Sequence, residues 1–422
     1  MSSVGPPSLD SRVCIVGAGA SGLAVAHELE RLGYQRITLL EREPRVGGKC
    51  RTIVHEGRTY ELGAGAVTPA YRKVRALMHE VGVRAVPKMS NLFVDLDRGT
   101  RTVLPPFSLD RGIAAESARL ALELLRHRHL RRPGFSHVRP ELWVSFADFC
   151  RARGLERVGA MLEPWITGFG YGPYAEVPAA YVLKYLPLFR APLFELLDTG
   201  YGGLWQKVAD ALTGVDLRLD VSVERVERDE RAIRVQTSRG TLDCDALVVT
   251  CGLDDALRFL DAGAEERELF SSIRYFDYYA LGLSVKALPR ARCLFFPRNF
   301  SREQLGQPTF AYQRWPGSGL SFFYGYAREP AWESAAVAAA RETIDRLGGT
   351  LLGAEVAMRW RYFPHVGPED FARGWYERVE RLQGRHATFY CGEVLAFTSV
   401  ETVVEYAEAL VDRCFRGEPA RR

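Results

Sequence analysis

A glycine-rich turn near the start of the chain most constrains what this sequence can fold into. The apolar residues 13–16 predict a short strand, and Gly17, Gly19 and Gly22 follow it in the spacing G-x-G-x-x-G. A helical run over residues 23–32 comes directly after the turn. In such a unit the first glycine permits the tight turn, the second lets the backbone approach a pyrophosphate, and the third lets helix and strand pack closely. The turn therefore predicts a dinucleotide site, with a ligand-free turn as the alternative.

The residues around this turn complete the predicted site. Ala20 and Ser21 lie at the helix start, where unpaired N–H groups and the helix dipole favour a phosphate. A second strand over residues 37–40 ends in Glu41. An acid about 20 residues after such a turn accepts hydrogen bonds from the adenosine ribose. We therefore predict Ala20, Ser21 and Glu41 as cofactor contacts.

A second pair of glycines indicates which dinucleotide binds. Gly47 and Gly48 are followed by Lys49, and Arg42 precedes them. Adjacent glycines let the backbone lie against a flat or phosphorylated group, and flanking cations offset the pyrophosphate charge. The segment resembles the R-x-G-G-[RK]-x-x-[ST] segment of glutathione-reductase-like and amine-oxidase-like FAD families. We predict non-covalent FAD, held in part by Arg42, Gly48 and Lys49; a cation-rich surface loop is the alternative.

Composition sets the broad class of protein. The 422 residues exceed one ordinary core, and 47% hydrophobic with 26% charged residues is typical of a soluble globular protein. A net charge of +4 gives no argument for a nucleic-acid partner. The eight cysteines form no C-x-x-C pair, which indicates reduced thiols, a cytoplasmic location and no metal site. Neither a signal peptide nor a transmembrane run is expected.

The order of elements predicts an α/β fold of the glutathione-reductase-like type, with an FAD-binding Rossmann domain and an inserted α+β substrate region. The FAD-binding domain is expected to be discontinuous, over residues 11–85, 200–264 and 366–420. Residues 86–199 are predicted to form a helical insertion that covers the substrate. Residues 265–365 carry aromatic, strand-like runs, which are typical of a substrate-binding sheet.

Several long segments resemble one flavoprotein family. The stretch GFGYGPYAEVPAAYVLKYL, residues 168–186, is similar to the central segment of the bacterial FAD-dependent polyunsaturated fatty acid (linoleate) isomerases, within the amine-oxidase-like flavoproteins. The similar C-terminal segments are residues 362–366, 374–377, 383–385 and 390–393. Together with residues 47–50 the likeness spans most of the chain, and it is weak over residues 95–140 and 255–345.

The resemblance to amine-oxidase-like flavoproteins implies further cofactor contacts. In those proteins a small-residue turn passes close to the flavin, and a backbone position meets the adenine. A Gly-Glu or Gly-Asp turn binds the ribityl chain, and the next helix points its N-terminus at the pyrimidine ring. By this resemblance, Gly63 and Ala64 form the turn near the flavin, and Val223 is the position that meets the adenine. Gly392 and Glu393 form the turn that binds the ribityl chain, and Val400 lies at the start of the next helix. A solvated turn acid is the alternative for Glu393.

The resemblance to the isomerases implies a redox-neutral reaction on a polyunsaturated fatty acid. A hydride leaves the carbon between two double bonds for the flavin and returns to a different carbon. No general acid or base is needed, so no catalytic side chain is assigned. The protein would hold an apolar tail against the flavin and exclude water. The candidate substrate residues are Phe169, Tyr171, Tyr174, Tyr181, Tyr185 and Lys88; ordinary core packing is the alternative for the aromatic ones.

One departure from that family concerns the substrate carboxylate. The family binds it with an arginine after a Pro-Lys pair and with a phenylalanine, which Phe169 matches. Here Ser90 and Asn91 come after the pair at residues 87–88, and neither replaces a bidentate guanidinium. Either Lys88 or another cation takes over, or the substrate is not a free fatty acid.

Other functions and roles stay open on the sequence. An FAD-dependent oxidase or desaturase of the amine-oxidase or phytoene-desaturase type, in a natural-product pathway, is the alternative enzyme. A flavin-binding scaffold or lipid carrier is the non-enzymatic alternative. The arginine-rich run 126–132 predicts a solvated face or transient contact with a membrane surface. His365 either faces the flavin or is a hydrogen-bonded structural histidine. Lys184 either reaches the flavin through a water or, as its apolar helical run favours, lies at the surface.

Overall fold

The computed structural model describes residues 6–86, 90–105, 108–189, 194–229, 232–328 and 331–416. Its strands are β1 (Arg12–Val16), β2 (Arg36–Leu40), β3 (Thr52–His55), β4 (Arg58–Glu61), β5 (Ala85–Val86), β6 (Asn91–Asp95), β7 (Thr100–Thr102), β8 (Leu196–Leu197), β9 (Val215–Arg218), β10 (Val223–Arg228), β11 (Ile233–Thr237), β12 (Gly240–Cys244), β13 (Ala246–Val249), β14 (Arg274–Lys286), β15 (Cys293–Phe295), β16 (Pro308–Tyr312), β17 (Leu320–Tyr326), β18 (Thr350–His365) and β19 (Thr388–Tyr390).

The helices connect and cover these strands. They are α1 (Ala20–Leu32), α2 (Arg72–Glu80), α3 (Ile113–Arg126), α4 (Phe146–Arg153), α5 (Glu156–Ile166), α6 (Ala179–Tyr185), α7 (Gly200–Ala211), α8 (Leu253–Ala256), α9 (Ala264–Ser271), α10 (Trp332–Arg346), α11 (Pro368–Ala372), α12 (Trp375–Leu382), α13 (Glu393–Ala396) and α14 (Val400–Cys414).

A five-stranded parallel sheet carries the glycine turn. Its strand order is β19-β13-β1-β2-β9, so β1 lies at the centre with β2 on one side and β13 on the other. The sequences of the central strands are continuous apolar runs, since helices such as α1 and α14 cover these strands and keep them from solvent. The end of β1 and the start of α1 therefore meet at the carboxyl edge of the sheet, where α/β folds bind ligands.

A second, mixed sheet stands beside it, in the order β18-β14-β17-β16-β15-β6-β7. Successive side chains of a strand point to opposite faces. One face of this sheet is therefore aromatic, with Tyr278, Phe310, Phe322 and Tyr324 in one buried cluster. The other face packs against α10 in a separate, mainly aliphatic cluster. The aromatic face is the one that takes part in the site described below.

The helices α3 to α6 lie in the stretch 86–199, which the sequence predicts as an insertion. This stretch also contributes β6 and β7 to the mixed sheet, and β5 pairs with β8 across it. It is thus tied to the sheet by backbone hydrogen bonds as well as by packing. The division into three parts, with its boundaries, stays a prediction.

His27 on α1 gives the fold a stability that depends on pH. Its Nδ1 atom lies 3.5 Å from Glu28 and its Nε2 atom 2.9 Å from Glu80. The hydrogen bond with Glu28 and then that with Glu80 raise the pKa of His27 to about 9, against burial, which lowers it. Because the folded pKa exceeds the ordinary 6.5, this stabilisation is complete below about pH 6.5 and is lost as the pH rises through about 9.

We therefore expect His27→Gln to lower the free energy of unfolding by about 1 kcal/mol near neutral and mildly acidic pH, and by almost nothing above the raised pKa. Urea denaturation of both proteins at a series of pH values measures the difference. A loss that is the same at every pH would contradict this assignment.

Candidate active site

One large cavity lies where the carboxyl edge of the parallel sheet meets the aromatic face of the mixed sheet. Its volume is about 1020 Å³, at the upper end of the range for small-molecule sites. The predicted cofactor residues that line it are Gly17, Gly19, Ala20, Ser21, Glu41, Arg42, Gly48, Lys49, Gly63, Ala64, Val223, Gly392, Glu393 and Val400. The fold thus brings residues that are far apart in the sequence to one continuous wall.

The glycine turn is shaped by contacts within the protein and by space beside it. Gly17 adopts a φ of +104°, in the region that favours glycine. A Cβ atom on Gly22 would lie 1.8 Å from the Gly17 carbonyl oxygen, so helix and strand could not pack as they do. A Cβ atom on Gly19 would meet nothing closer than Gly48 Cα at 3.9 Å. Glycine is therefore required at position 22 so that α1 can pack against β1. The space beside Gly19 is open towards the cavity.

Glu41 holds the turn and still faces the cavity. Its Oε2 atom accepts a hydrogen bond from the Ala18 amide at 2.8 Å, and Oε1 accepts one from the Glu43 amide at 2.9 Å. Each carboxylate oxygen can accept a further hydrogen bond. The geometry therefore leaves acceptors for ribose hydroxyls, although two amides already depend on this side chain.

We expect Glu41→Ala to weaken FAD retention strongly, since it removes a charged acceptor and leaves the Ala18 amide without its partner. Glu41→Gln keeps one carbonyl oxygen and should lose less. Flavin absorbance per mole of purified protein, followed during dialysis, measures retention. An unchanged flavin content in the alanine variant would rule out the ribose role.

Another part of the cavity wall is built from the C-terminal part of the chain. Lys49 Nζ donates to Glu393 Oε2 at 2.8 Å, which joins the second glycine pair to the turn after β19. The hydroxyl of Ser399 accepts a hydrogen bond from the Thr402 amide and so caps α14, and Val400 in its first turn lines the cavity. A helix N-terminus next to the cavity carries partial positive charge, which would stabilise the negative charge of a reduced flavin ring.

An aromatic chamber continues from this cradle. Phe169, Tyr171 and Tyr185, three of the predicted substrate residues, line the cavity. The chamber residues that the sequence analysis did not single out are Phe194, Tyr278, Phe310, Tyr312, Tyr324, Trp360 and Tyr362. Most of these come from strands of the mixed sheet. The alternation of aromatic residues along 308–312 and 320–326 was the available signal, but choosing the face that meets the cavity requires the sheet register.

Phe169 lies at the centre of the chamber wall. Its ring centroid is 5.3 Å from that of Phe310, 5.7 Å from that of Phe295 and 6.1 Å from that of Phe194. These spacings are those of favourable edge-on and tilted aromatic pairs. The loop before α6 is thereby fastened to the mixed sheet through its aromatic side chain.

Some predicted site residues lie elsewhere. Tyr181 donates or accepts a hydrogen bond with the Tyr376 hydroxyl at 2.7 Å, and Tyr174 packs against Phe146 of α4, so neither is among the cavity residues. Gly22 serves the helix packing described above. Lys88 lies outside the described residues.

Lys184 is neither a cavity residue nor a surface residue, so both expectations for it are wrong. Its Nζ atom is buried and donates to the carbonyl oxygens of Leu130 at 3.0 Å, Arg132 at 2.8 Å and Gly134 at 3.2 Å. Burial lowers the pKa of Lys184 to about 8. The ammonium group anchors the arginine-rich loop to α6, a role that only the tertiary contacts reveal.

His365 is a structural histidine. Its Nδ1 atom hydrogen-bonds the Phe363 carbonyl oxygen at 2.8 Å, and its ring stacks on those of Phe276 and Phe363. Burial lowers the pKa of His365 to about 4, so it is neutral near physiological pH.

Glu61 is a buried acid that the sequence analysis missed. It lines the cavity, accepts hydrogen bonds from the Thr52 hydroxyl at 2.8 Å and the Tyr201 amide at 3.0 Å, and lies 3.6 Å from Arg314 Nη1. Burial raises the pKa of Glu61 to about 7, against these partners, which lower it. The nearby Tyr312 hydroxyl has no hydrogen-bond partner among the described residues. This is the polar part of an otherwise aromatic chamber.

The residues present fit FAD. A glycine-lined cradle, an acid near the first turn, cations around the second glycine pair and two helix starts follow one another along a single cavity. Such a site on a parallel sheet defines an FAD-binding flavoprotein. In the part of the chain that is described, no group of three or more His, Cys, Asp or Glu side chains could hold a metal ion.

The chain belongs to the family described as flavin containing amine oxidoreductase, whose model matches residues 20–326. A crystal structure of a CLA-producing fatty acid isomerase from P. acnes superposes with a TM-score of 0.91 and 31% sequence identity, covering 97% of this chain and 100% of that one. The predicted fold class and the FAD cofactor are confirmed.

Two curated relatives match shorter parts. An uncharacterized protein of Acanthamoeba polyphaga mimivirus is 25% identical over 65% of this chain and 64% of its own length. The polyenoic fatty acid isomerase of Ptilota filicina is 35% identical over 18% of this chain and 15% of its own length. This chain therefore spans less than two thirds of the first curated relatives that it matches. None of the helices in the described ranges has the length and apolar character to cross a membrane.

Proposed function

We propose that this protein is an FAD-dependent hydride-transfer enzyme that moves a double bond in a polyunsaturated fatty acid, or a related apolar unsaturated compound, without net oxidation. The observation that carries the proposal is the whole-length likeness to the P. acnes fatty acid isomerase. The aromatic chamber beside the FAD cradle supports it, because it suits a long apolar substrate.

FAD, when bound, supplies a hydride acceptor that can also return the hydride. The chain binds it through the glycine turn, Glu41 and the second glycine pair. Lys49 and Glu393 form an ion pair where the cradle opens into the chamber, so they can orient polar groups of the cofactor. The start of α14 favours negative charge at the same end.

The chamber residues would hold and shield the substrate. Phe169, Phe310 and Tyr324 present aromatic faces, which exclude water and pack against an acyl chain. An aromatic face also attracts positive charge, worth about 0.5–2 kcal/mol per contact, so it can stabilise a delocalised cation formed when a hydride leaves. This chemistry needs no proton donor or acceptor, which fits a wall that is mostly aromatic.

The test is incubation of the flavin-loaded protein with linoleic acid, without an added acceptor, while conjugated-diene absorbance and oxygen uptake are followed together. We expect diene formation with no oxygen uptake. The same protein stripped of flavin is the control and should form no diene. Absence of diene with linoleic acid and with other polyunsaturated fatty acids would overturn the proposal.

An oxidase or desaturase is the second candidate function, favoured by membership of an amine oxidoreductase family. It requires net oxidation, so oxygen uptake or hydrogen peroxide in the same incubation would identify it. Failure of any unsaturated lipid to reduce the bound flavin anaerobically would instead support a flavin-binding carrier. A cytoplasmic location remains part of the proposal.

A further inference from the structure

Helix α3 presents an apolar stripe to solvent. The exposed residues that form one stripe along it are Ala114, Ala115, Ala118, Ala121, Leu122 and Leu125, called the α3 face below. The side chains of Leu122 and Leu125 are 64% and 60% exposed, and Leu109 just before the helix is 86% exposed. In an ordinary surface helix the apolar stripe faces the core and the polar side faces water. In α3, Ile113, Leu120 and Leu124 pack against the core in this way, and a second apolar stripe faces water.

The acids of the helix point inward and are paired there. Glu116 is 1% exposed and accepts hydrogen bonds from Arg157 at 2.8 Å and from the Val158 amide at 3.0 Å. Glu123 lies 3.5 Å from Arg153 and 3.9 Å from Arg126. The inward orientation is therefore stabilised by specific ion pairs, and the apolar face is left outside by the same contacts.

Exposed cations follow the α3 face directly. Arg128, Arg131 and Arg132, called the arginine turn below, are all exposed, and no carboxylate of the described residues lies within ion-pair distance of them. Glu123, the last acid of α3 before them, is already paired with Arg126 and Arg153. An apolar stripe next to unpaired cations is the pattern of an interfacial helix on an anionic lipid surface.

The arginine turn is connected to the chamber wall. Lys184 on α6 holds the carbonyl oxygens of Leu130 and Arg132, within and next to the turn. The next residue, Tyr185, lines the cavity. The surface that carries the α3 face is therefore attached to a wall of the chamber through one helix.

We propose that the α3 face and the arginine turn dock on an anionic phospholipid bilayer, from which an apolar substrate reaches the chamber. The delivery of substrate rests on the proposed function, whereas the docking does not. A second copy of the chain is a poorer occupant, because its α3 face consists of alanine and leucine and offers the arginine turn no carboxylate. A nucleic acid would use the cations and leave the apolar face uncovered.

The experiment measures binding of the flavin-loaded full chain to vesicles by co-sedimentation. Vesicles of phosphatidylcholine with phosphatidylglycerol should bind it, and vesicles of phosphatidylcholine alone should bind at least about tenfold more weakly. The double variant Leu122→Ser with Leu125→Ser should bind about tenfold or more weakly than the unmodified protein. Replacing the residues of the arginine turn by glutamine should weaken binding to anionic vesicles about fivefold for each residue, and should make that binding less dependent on salt.

Matched controls are available on other surfaces. Leu352→Ser removes a leucine that is 55% exposed on β18. Replacement of Arg225, Arg234 and Arg239 by glutamine removes three exposed cations of the β10–β12 sheet. Both controls should bind anionic vesicles as the unmodified protein does.

Absence of binding to anionic vesicles, or equal losses in the controls, would overturn the proposal. Light scattering tests whether a second copy of the chain covers the α3 face. A dimer that the leucine variant converts to a monomer would identify this face as a protein interface and would also overturn the proposal. Vesicle binding needs no turnover. A protein that docks but forms no diene would thus refute the proposed reaction alone, and one that forms diene without docking would refute the docking alone.

Discussion

Replacing Gly22 by alanine is expected to destabilise the folded protein even without cofactor, and to abolish FAD binding with it. The new Cβ atom would lie 1.8 Å from the Gly17 carbonyl oxygen and 2.9 Å from Thr250 Oγ1. Thr250 Oγ1 lies within hydrogen-bond distance of the carbonyl oxygens of Val16, at 2.9 Å, and Gly17, at 2.8 Å, so β1, α1 and the end of β13 would all have to move. Overpacking of this kind costs about 1–3 kcal/mol or more.

Gly19→Ala is the matched control. Its Cβ atom would have 3.9 Å of space to the nearest protein atom, and its backbone is in the extended region. We expect this variant to keep the stability of the cofactor-free protein while it loses at least about tenfold in FAD affinity, or about 1.4 kcal/mol. Urea denaturation of the stripped proteins and flavin titration separate the two effects. Equal stability of the two stripped variants would contradict the packing role of Gly22, and unchanged flavin affinity of Gly19→Ala would contradict the close approach of the pyrophosphate.

Phe169→Ala is expected to raise the KM for a polyunsaturated fatty acid by about tenfold to a hundredfold while FAD stays bound. Truncation of a phenylalanine removes an apolar contact worth about 1.5–3 kcal/mol, here from a ring that lines the cavity between Phe194 and Phe310. Diene formation at varied linoleate concentrations, together with flavin content, measures both effects. Loss of FAD from the variant would place Phe169 at the cofactor instead.

Phe300→Ala is the control for general loosening of the same aromatic cluster. Phe300 is buried in that cluster but is not among the cavity residues. Its removal should lower the stability, as large-to-small core changes do, and leave the KM for the substrate nearly unchanged. An equal rise in KM for both variants would show that Phe169 acts through packing rather than by contact with the substrate.

The cofactor cradle could be predicted because most of its chemistry is local. Gly17, Gly19 and Glu41 lie within one β-α-β unit, where the turn geometry and the strand end determine which atoms face the ligand. The second glycine pair adds a local signal that separates FAD from NAD. Residues from distant segments, such as Val223 and Glu393, could be assigned only by resemblance. Their place beside the first turn depends on the order of strands in the sheet.

The chamber could not be predicted residue by residue. Tyr278, Phe310, Tyr324 and Trp360 come from different strands, and which side of each strand meets the cavity depends on strand pairing and on the register shifts within β14 and β18. The aromatic runs predict a sheet that faces the ligand. They give no basis for choosing among the aromatic residues within them.

The sequence by itself determined the class of fold and the cofactor, because a tight turn, a helix start and an acid at a strand end act over a few residues. Only the tertiary structure decided that Lys184 is buried and which residues of α3 are exposed. An apolar helical run predicts a buried face, yet Leu122 and Leu125 of α3 are exposed while Glu116 forms an ion pair inside. The Lys184 ammonium group is buried because three backbone carbonyls accept its hydrogen bonds. Such orientations are set by partners from other elements, which no local pattern contains.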